Sequence, residues 1–252
     1  MSYTNSQLVC YTGLSPNHSG QRTHRIDRIT PHCVVGQLSC ETICACFPQG
    51  REASCNYGIG SDGRISLIVE EKNRSWCSSS GANDQRAITI ECASDKTAPY
   101  AMNNAVYQSL IKLCVDICKR NGIEKLKFTG DLSGNLCMHC YCASTACPGP
   151  YMKTKFKYIA KKVNALLDGL KNEWLDHKTP FKVKVAAKDL YIRAGAGTSY
   201  KKVKENGSYY IKPGVYTIIA VKEGGDYAWG KLKSSTEKKP KWIALDYTTF
   251  IG

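Results

Sequence analysis

Apolar and polar positions follow two regimes along this chain of 252 residues. In the first, Ile26, Ile29 and Val34 alternate with polar neighbours around Pro31, which predicts a strand whose end carries His32. Ser39 reads as the N-cap of a short helix over "CETICACF". The run "CNYGIGSDGRISLIVEE" predicts a hairpin that turns at Ser61-Asp62-Gly63. Next, "AITIECAS" is apolar and β-branched, as a central strand requires. Val106, Leu110, Leu113 and Ile117 recur at helical spacing, with Asn103 or Asn104 as cap and Gly122 as terminator. "KLKFTG" predicts another short strand, and a closing helix follows Pro150 with Phe156, Ile159, Val163, Leu166, Leu170 and Trp174 as its stripe. Strands interleaved with helices place this part in the α/β class, a mixed central sheet flanked by helices.

The second regime begins after "LDHKTP". Short β-rich runs, "FKVKVAA", "LYIRAG", "VYTIIAVK", "YAWGKLK" and "KWIALDY", alternate with glycine-rich turns and predict a small all-β barrel. Alternation turns Val183, Val185, Leu190 and Ile192 inward. Of Tyr200, Tyr209, Tyr210, Trp229 and Tyr247, at least half are expected in the core, the others lining a groove. The modules are therefore 1–177 and 178–252.

Cysteine usage separates the same two parts, since all 14 lie between Cys10 and Cys147. Residues 1–178 hold 21 Lys and Arg against 15 Asp and Glu (+6), whereas residues 179–252 hold 14 against 6 (+8). The smaller part is the more basic, which favours a polyanionic partner: nucleic acid, an anionic membrane or a phosphate-bearing cell wall. No run of about 18 apolar residues occurs, so membrane insertion is not expected. The first thirty residues lack the pattern of a secretory signal, so cytoplasmic synthesis with mostly reduced thiols is expected.

The chemistry concentrates in "MHCYCASTACPGPYM", residues 138–152. A hydrolytic zinc centre needs three protein ligands and one position for water. Of five histidines, His32 ends a strand and His139 opens this cysteine-rich loop, with Cys147 eight residues further on. Two imidazoles and one thiolate could converge there. From the residues alone, a structural histidine and a buried apolar cysteine are the commoner readings. Glu91, inside the apolar strand "AITIECAS", is costly to bury unless something pairs with it. A structural zinc finger built from Cys137, Cys140, Cys40, Cys44 and Cys46 is disfavoured, because these lie in long α/β elements. Cys33 adjoins His32 and is expected on the strand's other face.

"ITPHCVVGQLSCETI", "ASCNYGIGSDGRISLIVEEKNRSWCSSSGANDQRAITIECAS" and "MHCYCASTACPGPYM", in that order over about residues 7–155, resemble the type 2 zinc-dependent N-acetylmuramoyl-L-alanine amidases. These share the fold of phage lysozyme-like amidases and peptidoglycan recognition proteins, and the segments also resemble endolysins of clostridial phages and prophages. The resemblance implies Zn2+ held by His32, His139 and Cys147, Glu91 as general base and Tyr57 as a further catalytic residue. Where some members carry a lysine two residues before the last ligand, this chain has Thr145, which offers a hydroxyl and no charge. Relatives often follow the second histidine with Arg-Trp-Phe; here Cys140, Tyr141 and Cys142 stand there.

The segment "LYIRAGAGTSYKKVKENG" with the later "KWIALDY" resembles bacterial SH3 domains that anchor lytic enzymes to walls, over roughly residues 181–252. Together the two resemblances imply a peptidoglycan hydrolase that cuts between N-acetylmuramic acid and L-alanine once the membrane is breached. Its partners would be peptidoglycan and anionic wall polymers. Nucleic acid is disfavoured, because no recognition helix or aromatic platform is evident. Two alternatives stay open: a non-catalytic peptidoglycan-binding protein of the same fold, and a cytosolic zinc- or nucleic-acid-binding protein. The sequence leaves the oligomeric state undetermined.

Overall fold

The computed structural model describes residues 3–168, 173–224 and 227–252. The chain forms two compact units, Met1–Gly169 and Leu170–Gly252.

The first unit opens with β1 (Val9–Thr12), β2 (His18–Gln21), β3 (Arg28–Cys33), α1 (Cys40–Ala45), β4 (Tyr57–Ile59) and β5 (Ile65–Leu67). It continues with β6 (Asn73–Ser75), α2 (Gly81–Arg86), β7 (Ala87–Cys92), α3 (Asn104–Asn121) and α4 (Gly149–Leu167). Five strands make a mixed sheet in the order β1-β5-β4-β7-β3, and β2 pairs with β6. β7 runs parallel to both of its neighbours, whereas β4 and β5 form the antiparallel hairpin.

Local chemistry accounts for these elements. Ser39 caps α1 by accepting from the Thr42 amide, Asn103 caps α3 at Val106, and Gly122 ends α3 at φ 64°. α3 and α4 bury Val106, Leu110, Leu113, Ile117, Phe156 and Ile159 against one sheet face, where Ile29, Tyr57, Ile59, Ile88 and Ile90 complete the main core. On the other face, Ile43 and Phe47 pack with Cys55, Ile68 and Val69.

Three expectations change. β3 exists, but its six residues are all buried, so no exposed face shapes its pattern. "KLKFTG" forms no strand; the Lys127 carbonyl instead accepts from the Asn135 and Leu136 amides. The closing helix ends at Leu167, with Leu166 exposed, and Leu167 rather than Leu166 packs on the core. Leu170 lies outside the described residues, while Trp174 belongs to the core of the second unit.

That unit holds α5 (Glu173–Asp176), β8 (Phe181–Val185), β9 (Gly214–Gly224), β10 (Tyr227–Leu232), β11 (Trp242–Ala244) and β12 (Thr248–Phe250). The strands make an antiparallel sheet in the order β11-β10-β9-β8-β12. Val183, Val185, Leu190 and Ile192 are buried as expected. "LYIRAG" contributes isolated bridges at Tyr191 and Arg193 rather than a strand. Only Trp229 of the five aromatics is core; Tyr200, Tyr209, Tyr210 and Tyr247 are exposed.

Candidate metal centre and catalytic cleft

The register of β3 builds the site. β3 pairs in parallel with β7, setting His32 opposite Glu91, so both side chains take one face of the sheet. On the other edge of β3, Ile29 bridges in parallel to Leu136: the Ile29 amide donates to the Asn135 carbonyl (2.8 Å) and the Cys137 amide to the Ile29 carbonyl (3.0 Å). Three residues further along each segment, this register brings His139 beside His32. The two rings lie 4.8 Å apart, tilted by 59°.

The loop then returns to the same place. After a short 3-10 turn, His139–Tyr141, the Cys140 amide donates to the Cys147 carbonyl (3.2 Å), tying the second histidine to the cysteine. Thr145 Oγ1 accepts from the Cys147 amide at 3.2 Å. α4 begins at once, through Gly149 at φ +82°, where a Cβ would stand 2.9 Å from Tyr100 Cδ2. Only glycine fits both demands, which explains the Cys-Pro-Gly-Pro turn.

His32, His139 and Cys147 thus present ligand atoms within 4.8 Å of one another. Cys147 Sγ is 3.4 Å from His32 Nδ1. Ordinary Zn–S and Zn–N bonds at a tetrahedral angle set that separation at about 3.5 Å. Nε2 of each histidine is buried without a hydrogen-bond partner, as is Glu91 Oε2. Buried polar atoms are normally satisfied, so three orphans in one cleft fit a site built for a cation and a polar substrate.

Electrostatics support the same use. Burial, then the neighbouring His139, lowers His32 to about 3, leaving it a neutral donor. Burial also lowers His139. Cys147 is held protonated above the usual thiol range by its Cys33 neighbour and by burial, so metal binding must displace that proton. Burial chiefly, then Cys33, pushes the Glu91 carboxyl up to about 8.

The model of the N-acetylmuramoyl-L-alanine amidase family matches residues 22–150, just over half of the chain, and spans all four of these residues. The chain belongs to that family. Its fold is also that of the Staphylococcus aureus hydrolase AmiA, solved in complex with its ligand: 15% identity, 69% of this chain and 98% of that one, TM-score 0.51. A mutant endolysin from Bacillus subtilis aligns at 15% identity over 61% of this chain and 97% of its own, with TM-score 0.48. A selenomethionine derivative of AmpD aligns at 17% over 64% and 99%, with TM-score 0.49. No curated protein sequence matches the chain significantly.

In this amidase, Tyr57 and Thr145, the two further residues expected in catalysis, each hold a neighbour by a hydrogen bond. Tyr57 pairs with Ile90, while Gly58 pairs with Glu91, so Tyr57 takes the sheet face opposite Glu91. It is fully buried, donates to Glu71 Oε1 (2.6 Å) and accepts from the Ser6 amide (2.9 Å). Burial and Glu71 raise its hydroxyl far above the ordinary value. Thr145, half-buried, holds the Cys147 amide.

Two further cysteines stand beside the site, Cys33, which adjoins His32 in the sequence, and Cys77, which the sequence did not single out. Cys33 takes the face opposite His32, in the core with Ile90 and Cys92, yet its thiol interacts with Cys147 at the end of the strand. Cys77 stands with His32 and Glu91, their ligand atoms within 4.8 Å of one another. A single cysteine in a serine-rich loop carries no periodicity, and this loop is shaped by hydrogen bonds to Asp84.

Proposed function

We propose that the first unit hydrolyses the amide bond between the lactyl group of N-acetylmuramic acid and L-alanine in peptidoglycan, with zinc held by His32, His139 and Cys147. The observation that carries this reading is the convergence of the buried His32, the half-buried His139 and the Cys147 thiol, with Glu91 paired opposite His32 in the sheet. A zinc ion bound there supplies Lewis acidity toward the scissile carbonyl and makes water acidic enough to be deprotonated near neutral pH. Glu91 takes the proton of the attacking water and returns it to the leaving amine. Without a metal, burial pushes its carboxyl up to about 8; a dication beside it would favour the ionised form that a general base needs. Two neutral imidazoles and one thiolate leave a dication with a net charge of +1, which preserves its electrophilic character. Thr145 orients Cys147, and its own hydroxyl proton can point toward the developing oxyanion.

The second unit, with its +8 balance over residues 179–252, is assigned to anionic wall polymers, in the manner of the SH3 domains it resembles. Holding the enzyme on its insoluble substrate raises the local concentration of cleavable bonds. Digestion of purified bacterial walls tests the reading. New N-terminal alanine without new reducing sugar ends is expected. Wall binding with no alanine released would instead make the chain a recognition protein.

A further inference from the structure

Among the described residues, His32 belongs to two sets of ligand atoms, and only one contains His139 and Cys147. We propose that the cleft offers a cation a second seat, His32–Cys77–Glu91, which competes for the same imidazole and, when filled, withdraws Glu91 from catalysis. The inference rests on the zinc reading above and assigns Cys77 a regulatory role that the hydrolytic reaction does not require.

Four observations support it. The three ligand atoms lie within 4.8 Å of one another. His32 is 1% exposed, and its Nε2 and Glu91 Oε2 are enclosed without partners. The loop carrying Cys77 is held in place by Asp84, whose Oδ2 accepts from the Cys77 amide (3.0 Å) and the Ser78 amide (3.1 Å), and whose Oδ1 accepts from Ser78 Oγ (2.6 Å). The donor set of nitrogen, sulfur and carboxylate oxygen is one that zinc and cobalt(II) accept.

Chemistry makes the seats exclusive. A neutral imidazole has one lone pair to give, so His32 serves one ion at a time. With His139 and Cys147 the dication keeps a charge of +1. With Cys77 and Glu91, thiolate and carboxylate cancel its charge, and the carboxylate's lone pair is engaged on the ion instead of awaiting a proton. The second arrangement is therefore an inactive one.

Cobalt(II) alone is the probe, read by the near-ultraviolet thiolate-to-cobalt band of the full chain. A His139→Ala, Cys147→Ala double variant is expected to bind one cobalt with that band, and adding Cys77→Ser should remove it. Adding Glu91→Gln instead should weaken cobalt binding at least tenfold. A double variant that is folded by circular dichroism but shows no band overturns the proposal, as does a band that survives Cys77→Ser. Should the double variant not fold, Cys147→Ala alone permits the same comparison. If the unaltered chain shows no thiolate band, the zinc reading itself fails, which separates the two outcomes.

Discussion

At the scale of single residues, Glu91 and Tyr57 differ by one step of β-register, and that step sets them on opposite faces of the sheet. Glu91→Gln should retain zinc and wall binding while turnover falls by about a hundredfold or more, measured as alanine release. Its pH linkage has a definite sign. In the metal-free folded chain the carboxyl ionises near 8, against an ordinary 4.5. Between those values the unfolded chain binds fewer protons, so Glu91 lowers stability as pH rises and levels off above 8. The melting-temperature advantage of Glu91→Gln should accordingly grow from pH 4.5 to 8 and be absent below. Tyr57→Phe is expected to leave turnover intact and to cost about 1–3 kcal/mol in denaturant unfolding, because Glu71 and the Ser6 amide lose a buried partner. A large loss of turnover without loss of stability would return Tyr57 to the reaction. The sequence motif "NYGIG" does not show which face its tyrosine takes, since a slip of one residue reverses every side chain.

Among the elements, those with their own caps and periodicity were legible in advance. α1, α3 and the β4–β5 hairpin follow from Ser39, Asn103, Gly122 and the Ser61-Asp62-Gly63 turn. Those that depend on a distant partner were not. The segment at Leu136 completes the sheet only by bridging to Ile29, and the pattern of "KLKFTG" contains nothing that says its carbonyls serve Asn135 and Leu136 instead of a strand. The Cys147 turn was legible in composition but not in mechanics. Gly149→Ala should destabilise the chain by about 1–2 kcal/mol, from its left-handed φ and the contact with Tyr100. It should also raise the zinc concentration needed for half-maximal activity. Thr145→Val should raise that concentration a few-fold with little change in unfolding, since it frees the amide of a single ligand. Unchanged zinc dependence in both variants would show that the turn does not position Cys147.

Over the whole molecule, the two units have separate cores and separate chemistry. The first holds all the cysteines and every proposed ligand; the second is cysteine-free and basic. A chain of residues 170–252 should pellet with cell walls and be released progressively by salt, whereas failure to pellet at low salt would remove the anchoring role. The proposed metal ligands were legible only through family resemblance. Spacing alone left His32 and His139 open to structural readings, because what unites them is a bridge, Ile29 to Leu136, between segments remote from each other in the chain.

The measurement that bears most directly on the central claim is wall digestion by one preparation of the full chain, with its zinc content determined before and after chelation. One zinc per chain is expected, with N-terminal alanine released at a rate that chelation abolishes and added zinc restores, and with Cys147→Ala slow throughout. Undiminished alanine release by chain shown to be zinc-free, or by Cys147→Ala, would contradict it.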